Sequence, residues 1–214
     1  MRAWSMLLLL AAGALVGAIA ASSITALLAN PKPLRTGGTG LAGEYVALVA
    51  LTAHEQDHVA IDVYADFTCP ACQRLESEGL EKVRLRYGDR VAIRNHYIAG
   101  PATAPSAKIL YDVAVAQGKG ESVAQALFHA RLKHGDDGTN LPLVTAIAHR
   151  FGLSQPFRIA LADGSGRRKI ASEWNALGGK VAFFPFIVIE DEIAVGGDQD
   201  NLMRVLDSVL AKEE

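Results

Sequence analysis

The chain has 214 residues, 50% of them hydrophobic, and carries a formal net charge of −2 at pH 7. This length suits one domain of ordinary size, and the balanced charge argues against the basic face of a nucleic-acid-binding protein. The two cysteines are too few for the disulfide framework of a small secreted domain.

The N-terminal segment is apolar, and residues 3–31 carry no charged side chain. Its core, MLLLLAAGALVGAIA, is typical of the apolar region of a secretory signal. The Ala-x-Ala pattern at Ala18 and Ala20 would suit cleavage, whereas the apolar character that continues to Leu28 would suit an uncleaved membrane helix. We therefore predict a signal peptide or membrane anchor at 1–29, and export of the remaining chain to a periplasmic or other extracytoplasmic compartment.

A linker and then an α/β domain follow in chain order. Residues 30–43 are rich in proline and glycine, so we predict a linker there and a folded domain over 44–214. Alternating apolar residues and helical spacing predict strands at 44–52, 58–66 and 90–97, and a helix at 70–87.

The second half of the chain is mostly helical in its spacing. Several such segments predict a helical insert at about 101–180, before a buried strand at 183–190. A hairpin of this strand with residues 192–195, closed by Gly196-Gly197, and a final helix at 199–212 complete the predicted domain. The alternation of strands and helices in the first half predicts a sheet with helices on its faces.

Residues 54–58 read HEQDH, which matches the H-E-x-x-H spacing of zinc metalloproteases. That spacing requires a helix, because only there do His54 and His58 point the same way. The five residues lie between two predicted strands, and no nearby pattern supplies the third protein ligand of a zinc site. We therefore predict a polar turn and no metal site.

A second motif, C-P-A-C at residues 69–72, allows three interpretations. As half of a structural zinc site it lacks a second C-x-x-C, and His129 and His134 lie far along the chain on a predicted helix. An inert pair of core thiols is the second interpretation. A redox-active dithiol is the third, and it is favoured because the motif follows a strand and opens a helix.

The position at a helix start assigns different roles to the two thiols. Four backbone N–H groups lack partners there and the helix dipole is positive, so a thiolate is stabilised. Pro70 suits the first helical turn, where its missing N–H costs nothing. We predict that Cys69 is the attacking nucleophile and that Cys72, one turn further on, is the buried resolving thiol.

These features resemble the thioredoxin superfamily and, within it, the DsbA-like thiol-disulfide oxidoreductases. The carrying segments are YADFTCPAC after a strand, the helical insert, and FFPFIVIEDEIAVGG. The resemblance covers about residues 44–214 and implies a thioredoxin fold with an inserted helical subdomain, preceded here by the N-terminal signal or transmembrane helix. It also implies a redox-active disulfide between Cys69 and Cys72 and no further cofactor.

The resemblance further implies a substrate site beside the dithiol. Pro185 matches the family's cis-proline, which helps to hold an extended substrate strand, and Phe184 before it would contribute backbone hydrogen bonds. Pro70 and Ala71 would contact the same substrate. DsbA itself has a histidine where this chain has Ala71, and many relatives have a buried acid where this chain has Val63.

These two departures leave the direction of electron flow open, although the lost histidine predicts a weaker oxidant. Asp62 should face away from Val63 across the strand, and Asp66 has no clear role. The main hypothesis is an exported enzyme that forms disulfides in client proteins with free thiols and is reoxidised by a membrane redox partner. The alternatives are a disulfide reductase or isomerase fed by a membrane electron donor, and a non-catalytic chaperone or soft-metal-binding module.

Overall fold

A five-stranded sheet forms the centre of the described structure. The computed structural model describes residues 41–48, 58–100, 103–135 and 139–210. Its strands are β1 (Val46–Ala47), β2 (Val59–Ala65), β3 (Val91–Tyr97), β4 (Phe186–Ile189) and β5 (Ile193–Gly196). They lie in the order β1-β5-β4-β2-β3, with β2 and β3 parallel and the other neighbouring pairs antiparallel.

Helices follow β2 and β5 in the chain, and five further helices among the described residues form the connection between β3 and β4. Helix α1 (Pro70–Arg74) continues through a π-helical turn (Leu75–Gly79) into α2 (Leu80–Tyr87), and a 3-10 turn (Gly88–Arg90) leads on to β3. The connection from β3 to β4 contains α3 (Ser106–Val115), α4 (Gly120–His134), α5 (Leu141–Arg150), α6 (Ser154–Ala162) and α7 (Ser165–Leu177). The last described helix, α8 (Gln199–Leu210), follows β5.

Strand β2 supplies the centre of the core. Ile61, Val63 and Ala65 alternate along one of its faces, and each is fully buried, as the two-residue period of a strand requires. Helix α8 contacts β5 and buries Leu202 and Leu206 completely. Each fully buried side chain of this size contributes about 1.5–3 kcal/mol through removal of its surface from water.

A cluster of aromatic rings joins the sheet to the helical insert. Phe67 follows β2, and its ring centroid lies 4.9 Å from that of Tyr97, 5.0 Å from Phe128 and 5.6 Å from Tyr111. Tyr97 ends β3, whereas Tyr111 and Phe128 belong to α3 and α4. Since each such ring pair contributes about 0.5–1.5 kcal/mol beyond its buried area, the cluster fixes the segment that leads to Cys69.

Most of the predicted elements are confirmed, including the helices of the insert, although the π-helical turn was not predicted. The predicted hairpin of the strand at 183–190 with residues 192–195 is confirmed. Gly196 pairs with Phe186 at the far end of β5, and the turn lies at 190–192. Glu190 and Asp191 have φ angles of 52° and 57° there. Non-glycine residues rarely adopt such angles.

The N-terminal predictions fall outside the described residues. This applies to the signal peptide or anchor at 1–29 and to the linker at 30–43 except for its last three residues. The strand predicted over 44–52 is present as β1, and its part beyond residue 48 also lies outside them. In the part of the chain that the structure describes, no helix has both the length and the apolar character needed to cross a bilayer.

Candidate active site

Cys69 lies at the junction of β2 and α1. A turn from Asp66 to Cys69 is closed by a hydrogen bond from the Cys69 N–H to the Asp66 carbonyl oxygen, at 3.1 Å. Cys69 has extended backbone angles, φ −84° and ψ 118°, and is the N-cap of α1, with Pro70 in its first turn. This arrangement of strand, turn and proline places the sulfur at the positive end of the helix.

The two thiols differ in exposure and in hydrogen bonding. Cys69 is partly exposed, whereas Cys72 is fully buried, and both are free thiols in this structure. The backbone N–H of Cys72 donates to the Cys69 Sγ at 3.1 Å, as it would to the oxygen of an N-cap serine. The sulfur that solvent can reach is therefore also the one that receives donors from the helix start.

These donors separate the acidities of the two thiols. The hydrogen bond from the Cys72 thiol lowers the pKa of Cys69 to about 7, with help from the N–H groups of Cys72 and Ala71 and against the effect of burial. The same thiol–thiol bond, together with burial, raises the pKa of Cys72 far above its ordinary value. At neutral pH about half of Cys69 is therefore thiolate, while Cys72 keeps its proton.

A groove of about 450 Å³ adjoins the helix start. The peptide bond between Phe184 and Pro185 is cis, and both residues line this groove together with Ala71. Its other lining residues are Arg74, Leu75, Glu78, Phe183, Gly197, Asp198 and Gln199. The structure thus brings together three of the four predicted substrate contacts, whereas Pro70 is exposed and does not line the groove. Phe184 and Cys69 pack against the same buried cluster, so the groove lies beside the dithiol.

Gly197 is a groove residue whose contact we did not predict. A Cβ at this position would overlap the Cγ of Pro185 and lie 2.7 Å from its Cδ. Because no side chain fits, glycine allows the segment after β5 to pass directly against Pro185. The Gly196-Gly197 pair is visible in the sequence, but it suggested the end of a hairpin rather than a packing contact.

One face of β2 carries apolar side chains, and the other carries a charged residue, Asp62. Val63 is fully buried at the position where the resemblance implies an acid. Asp62 points the other way, as predicted, and its carboxylate accepts a hydrogen bond from Arg94 at 2.9 Å and lies 2.6 Å from the His96 Nε2. Burial raises the pKa of Asp62, but the hydrogen bonds from Arg94 and His96 outweigh burial and hold that pKa below its ordinary value.

Asp66 is only 2% exposed and lies close to the dithiol. Its Oδ1 accepts hydrogen bonds from the N–H and the hydroxyl of Thr68, at 2.7 and 2.6 Å, and its Oδ2 accepts one from the Gly100 N–H at 3.2 Å. After the thiol–thiol bond, burial and the charge of Cys69, the charge of Asp66 is a smaller cause that raises the pKa of Cys72, whereas a backbone hydrogen bond of Asp66 lowers it. The same charge opposes the lowering of the pKa of Cys69.

The fold is similar to solved structures of DsbA proteins. Alpha-DsbA1 of Wolbachia pipientis is 17% identical with a TM-score of 0.57, and the match covers 74% of this chain and 88% of that one. For DsbA of Pseudomonas aeruginosa the identity is 14%, the TM-score 0.54, and the coverage 80% and 92%. For oxidised BdbD of Bacillus subtilis the identity is 13%, the TM-score 0.58, and the coverage 74% and 91%. No protein-family model and no curated protein sequence matches the chain.

The chain has a DsbA-like thioredoxin fold. The resemblance drawn from the sequence is therefore confirmed for the fold, including the helical insert between β3 and β4. In this DsbA-like fold, the predicted dithiol opens the helix that follows β2, and the groove of Pro185 lies beside it.

Only the last residue of the H-E-x-x-H motif lies among the described residues. His58 directly precedes β2, and its Nδ1 lies 2.6 Å from the carbonyl oxygen of Asp89. Across the described ranges, no group of three or more His, Cys, Asp or Glu side chains is placed to hold a metal ion. His54 and Glu55 lie outside these ranges, so the polar turn stays a prediction.

Proposed function

We propose that this protein is a thiol-disulfide oxidoreductase that uses Cys69 and Cys72 to form disulfide bonds in exported proteins. The observation that carries the proposal is the asymmetry of the two sulfurs. One is partly exposed with a pKa of about 7, and the other is buried and protonated. Thiol–disulfide exchange needs such a pair, because one thiol must be accessible and a good leaving group while the other resolves the intermediate.

In the proposed reaction the oxidised protein carries a Cys69–Cys72 disulfide. A client thiolate attacks the Sγ of Cys69, so that a mixed disulfide forms and Cys72 leaves and takes up a proton. A second client thiolate then attacks the client sulfur of the mixed disulfide, and Cys69 leaves as a thiolate. Two electrons pass from the client to the protein, which ends as a dithiol while the client gains one disulfide.

The groove beside the dithiol supports binding of an extended client segment. We assign Ala71, Phe184 and Pro185 to this contact from their place in the groove, and Pro70 from its place at the start of α1. Both edges of β4 are paired within the sheet, so an extended client segment would bond to the backbone of Phe184, which precedes this strand.

The partners follow from the same chemistry. Clients are exported proteins with free thiols, and a membrane redox partner removes the two electrons gained in each cycle. The apolar segment at residues 3–31 supports export, and it would tether the protein to the membrane if it stays uncleaved. The reaction needs no cofactor besides the two cysteines.

A second candidate is a disulfide reductase or isomerase fed by a membrane electron donor. It is favoured by the pKa of Cys69, since about 7 is the thiolate pKa of thioredoxin, whereas that of DsbA is about 3.5. Ala71 supplies only its backbone N–H to Cys69 and no side-chain charge. The two candidates share the dithiol and differ in the direction of electron flow.

A trapping experiment tests the dithiol chemistry common to both candidates. In a Cys72→Ala variant the mixed disulfide cannot be resolved, so we expect covalent adducts with unfolded, thiol-containing proteins on non-reducing gels. A Cys69→Ala variant is the matched control and should form none through the buried Cys72. If the Cys72→Ala variant forms no adduct that a reductant releases, the proposed function is wrong.

The reduction potential decides between the two directions. Equilibration of the full-length protein with defined mixtures of reduced and oxidised glutathione measures it. A potential near that of DsbA, about −120 mV, supports disulfide formation. A potential near that of thioredoxin, about −270 mV, excludes that role and supports the reductase.

A further inference from the structure

We propose that Asp66 is a positioning residue that weakens the oxidising power of the dithiol, because it holds a buried negative charge in the turn that ends at Cys69. The inference rests on the proposed function, since it concerns the exchange chemistry of Cys69 and Cys72. It gives a role to an acidic residue to which the sequence assigned none.

The first observation is proximity. The hydrogen bond from the Cys69 N–H to the Asp66 carbonyl oxygen closes a four-residue turn, and the Cα atoms at the two ends of such a turn are less than about 7 Å apart. Phe67, within the turn, is held by its aromatic neighbours. The turn therefore keeps the carboxylate close to the start of α1.

The second observation is how the charge is held. The carboxylate accepts hydrogen bonds from two Thr68 donors and from the Gly100 N–H, and these donors are neutral. Its side chain is almost fully buried, so water and salt screen its field poorly. Asp62, by contrast, has Arg94 and His96 beside it. Among the described residues no cation is paired with Asp66, so its charge acts on its surroundings without such an offset.

Other charged side chains near the site are placed differently. Arg74, Glu78 and Asp198 line the groove, but all three are exposed, so solvent and salt screen their effect on the sulfurs. They also carry both signs of charge. Asp66 combines burial, a fixed position and closeness to the turn that carries Cys69.

The expected consequence follows from the charges of the two redox states. Reduction of the disulfide adds two electrons and, at neutral pH, produces a Cys69 thiolate in about half of the molecules. A nearby carboxylate repels this thiolate but not the uncharged disulfide. Asp66 therefore favours the disulfide over the dithiol, which makes the protein a weaker oxidant and brings it closer to reductase chemistry.

The test compares two substitutions that remove one negative charge each from the same region of the chain. Asp66→Asn removes the charge beside the dithiol and keeps an acceptor for Thr68. Asp62→Asn, four residues earlier within β2, is the matched control. The measurement is the dithiol–disulfide equilibrium of the full-length protein in glutathione buffers at pH 7, with circular dichroism as a check of folding.

We expect Asp66→Asn to shift the equilibrium about tenfold towards the dithiol, which corresponds to about 30 mV, and Asp62→Asn to stay within about twofold of the wild type. If Asp66→Asn does not fold, Asp66→Ser, which also removes the charge, must shift the equilibrium the same way. A folded neutral variant whose equilibrium stays within about twofold, or moves towards the disulfide, overturns the inference.

Failure of this inference is distinguishable from failure of the proposed function. A wild-type protein that exchanges with glutathione, combined with an Asp66→Asn variant that matches it, overturns only the role of Asp66. A wild-type protein whose two cysteines do not exchange with glutathione overturns both proposals.

Discussion

Two aspartates, one in the middle of β2 and one just beyond it, show how surroundings decide what a buried charge does. Asp62 lies within β2 and Asp66 just beyond it, and both are almost fully buried. Asp62 is paired with Arg94 and His96, whereas the described partners of Asp66 are neutral donors. Loss of a buried charge that is paired with cations destabilises the fold. The electrostatic field of a charge that only neutral donors hold is not offset, so this charge can change the pKa of a nearby thiol.

The largest expected effect is the pH dependence of Cys69 reactivity. A substitution of Asp66 should change this dependence, whereas a substitution of Asp62 should not. Alkylation by iodoacetamide follows the thiolate fraction, so its rate should rise about hundredfold between pH 5 and pH 9, with a midpoint near pH 7. Asp62→Asn should leave this midpoint unchanged, whereas Asp66→Asn should move it lower. A midpoint near the ordinary value of 9.0 in the wild type would contradict the described donors at the helix start.

The next effect is a difference in stability between the two redox states. If Asp66 repels the thiolate, Asp66→Asn should stabilise the reduced protein relative to the oxidised one by about 1.4 kcal/mol, which matches a tenfold shift in the redox equilibrium. Urea denaturation of both redox forms measures this gap. For Asp62→Asn the gap should equal that of the wild type. If both variants change the stability gap between the redox states by the same amount, the two aspartates do not differ in their effect on the dithiol.

A smaller effect concerns stability alone. Asp62→Asn removes the charge that Arg94 and His96 face, and should lower the free energy of unfolding by about 1 kcal/mol, because solvent screens the half-exposed partners. The loss should be the same in oxidised and reduced protein. Urea denaturation at pH 7 checks this, and a loss confined to one redox state would contradict it.

The smallest effect appears in acid. The pKa of Asp62 is lower in the folded protein than its ordinary value of 3.8, so its contribution is present above that value and is lost as the pH falls through the lower folded pKa. The wild type should therefore lose part of its advantage over Asp62→Asn as the pH falls below 3.8. Parallel stability curves of the two proteins over this range would show that Asp62 keeps an ordinary pKa.

The sequence was sufficient for the features that depend on local pattern. The strand before Cys69, the helix after it and the buried position of Cys72 each follow from residue spacing within a few turns. The opposite orientation of Asp62 and Val63 follows from the two-residue period of a strand. These local rules were enough to locate the dithiol.

Features that depend on contacts between distant segments could not be predicted. The bond from the Gly100 N–H to Asp66 and the pair of Asp62 with Arg94 both require the parallel pairing of β2 with β3, whose register the sequence does not specify. The contact of Gly197 with Pro185 similarly requires β4 and β5 to be side by side. Such contacts determine the electrostatics of the site and the shape of its groove.

The ring of Phe67 has a consequence for the motions of the site. It contacts Tyr97 of β3, Tyr111 of α3 and Phe128 of α4, and it lies in the turn that ends at Cys69. The helical insert therefore cannot swing away from the sheet without moving that turn. Amide protons of β2 and α4 should then exchange with solvent as one cooperative unit.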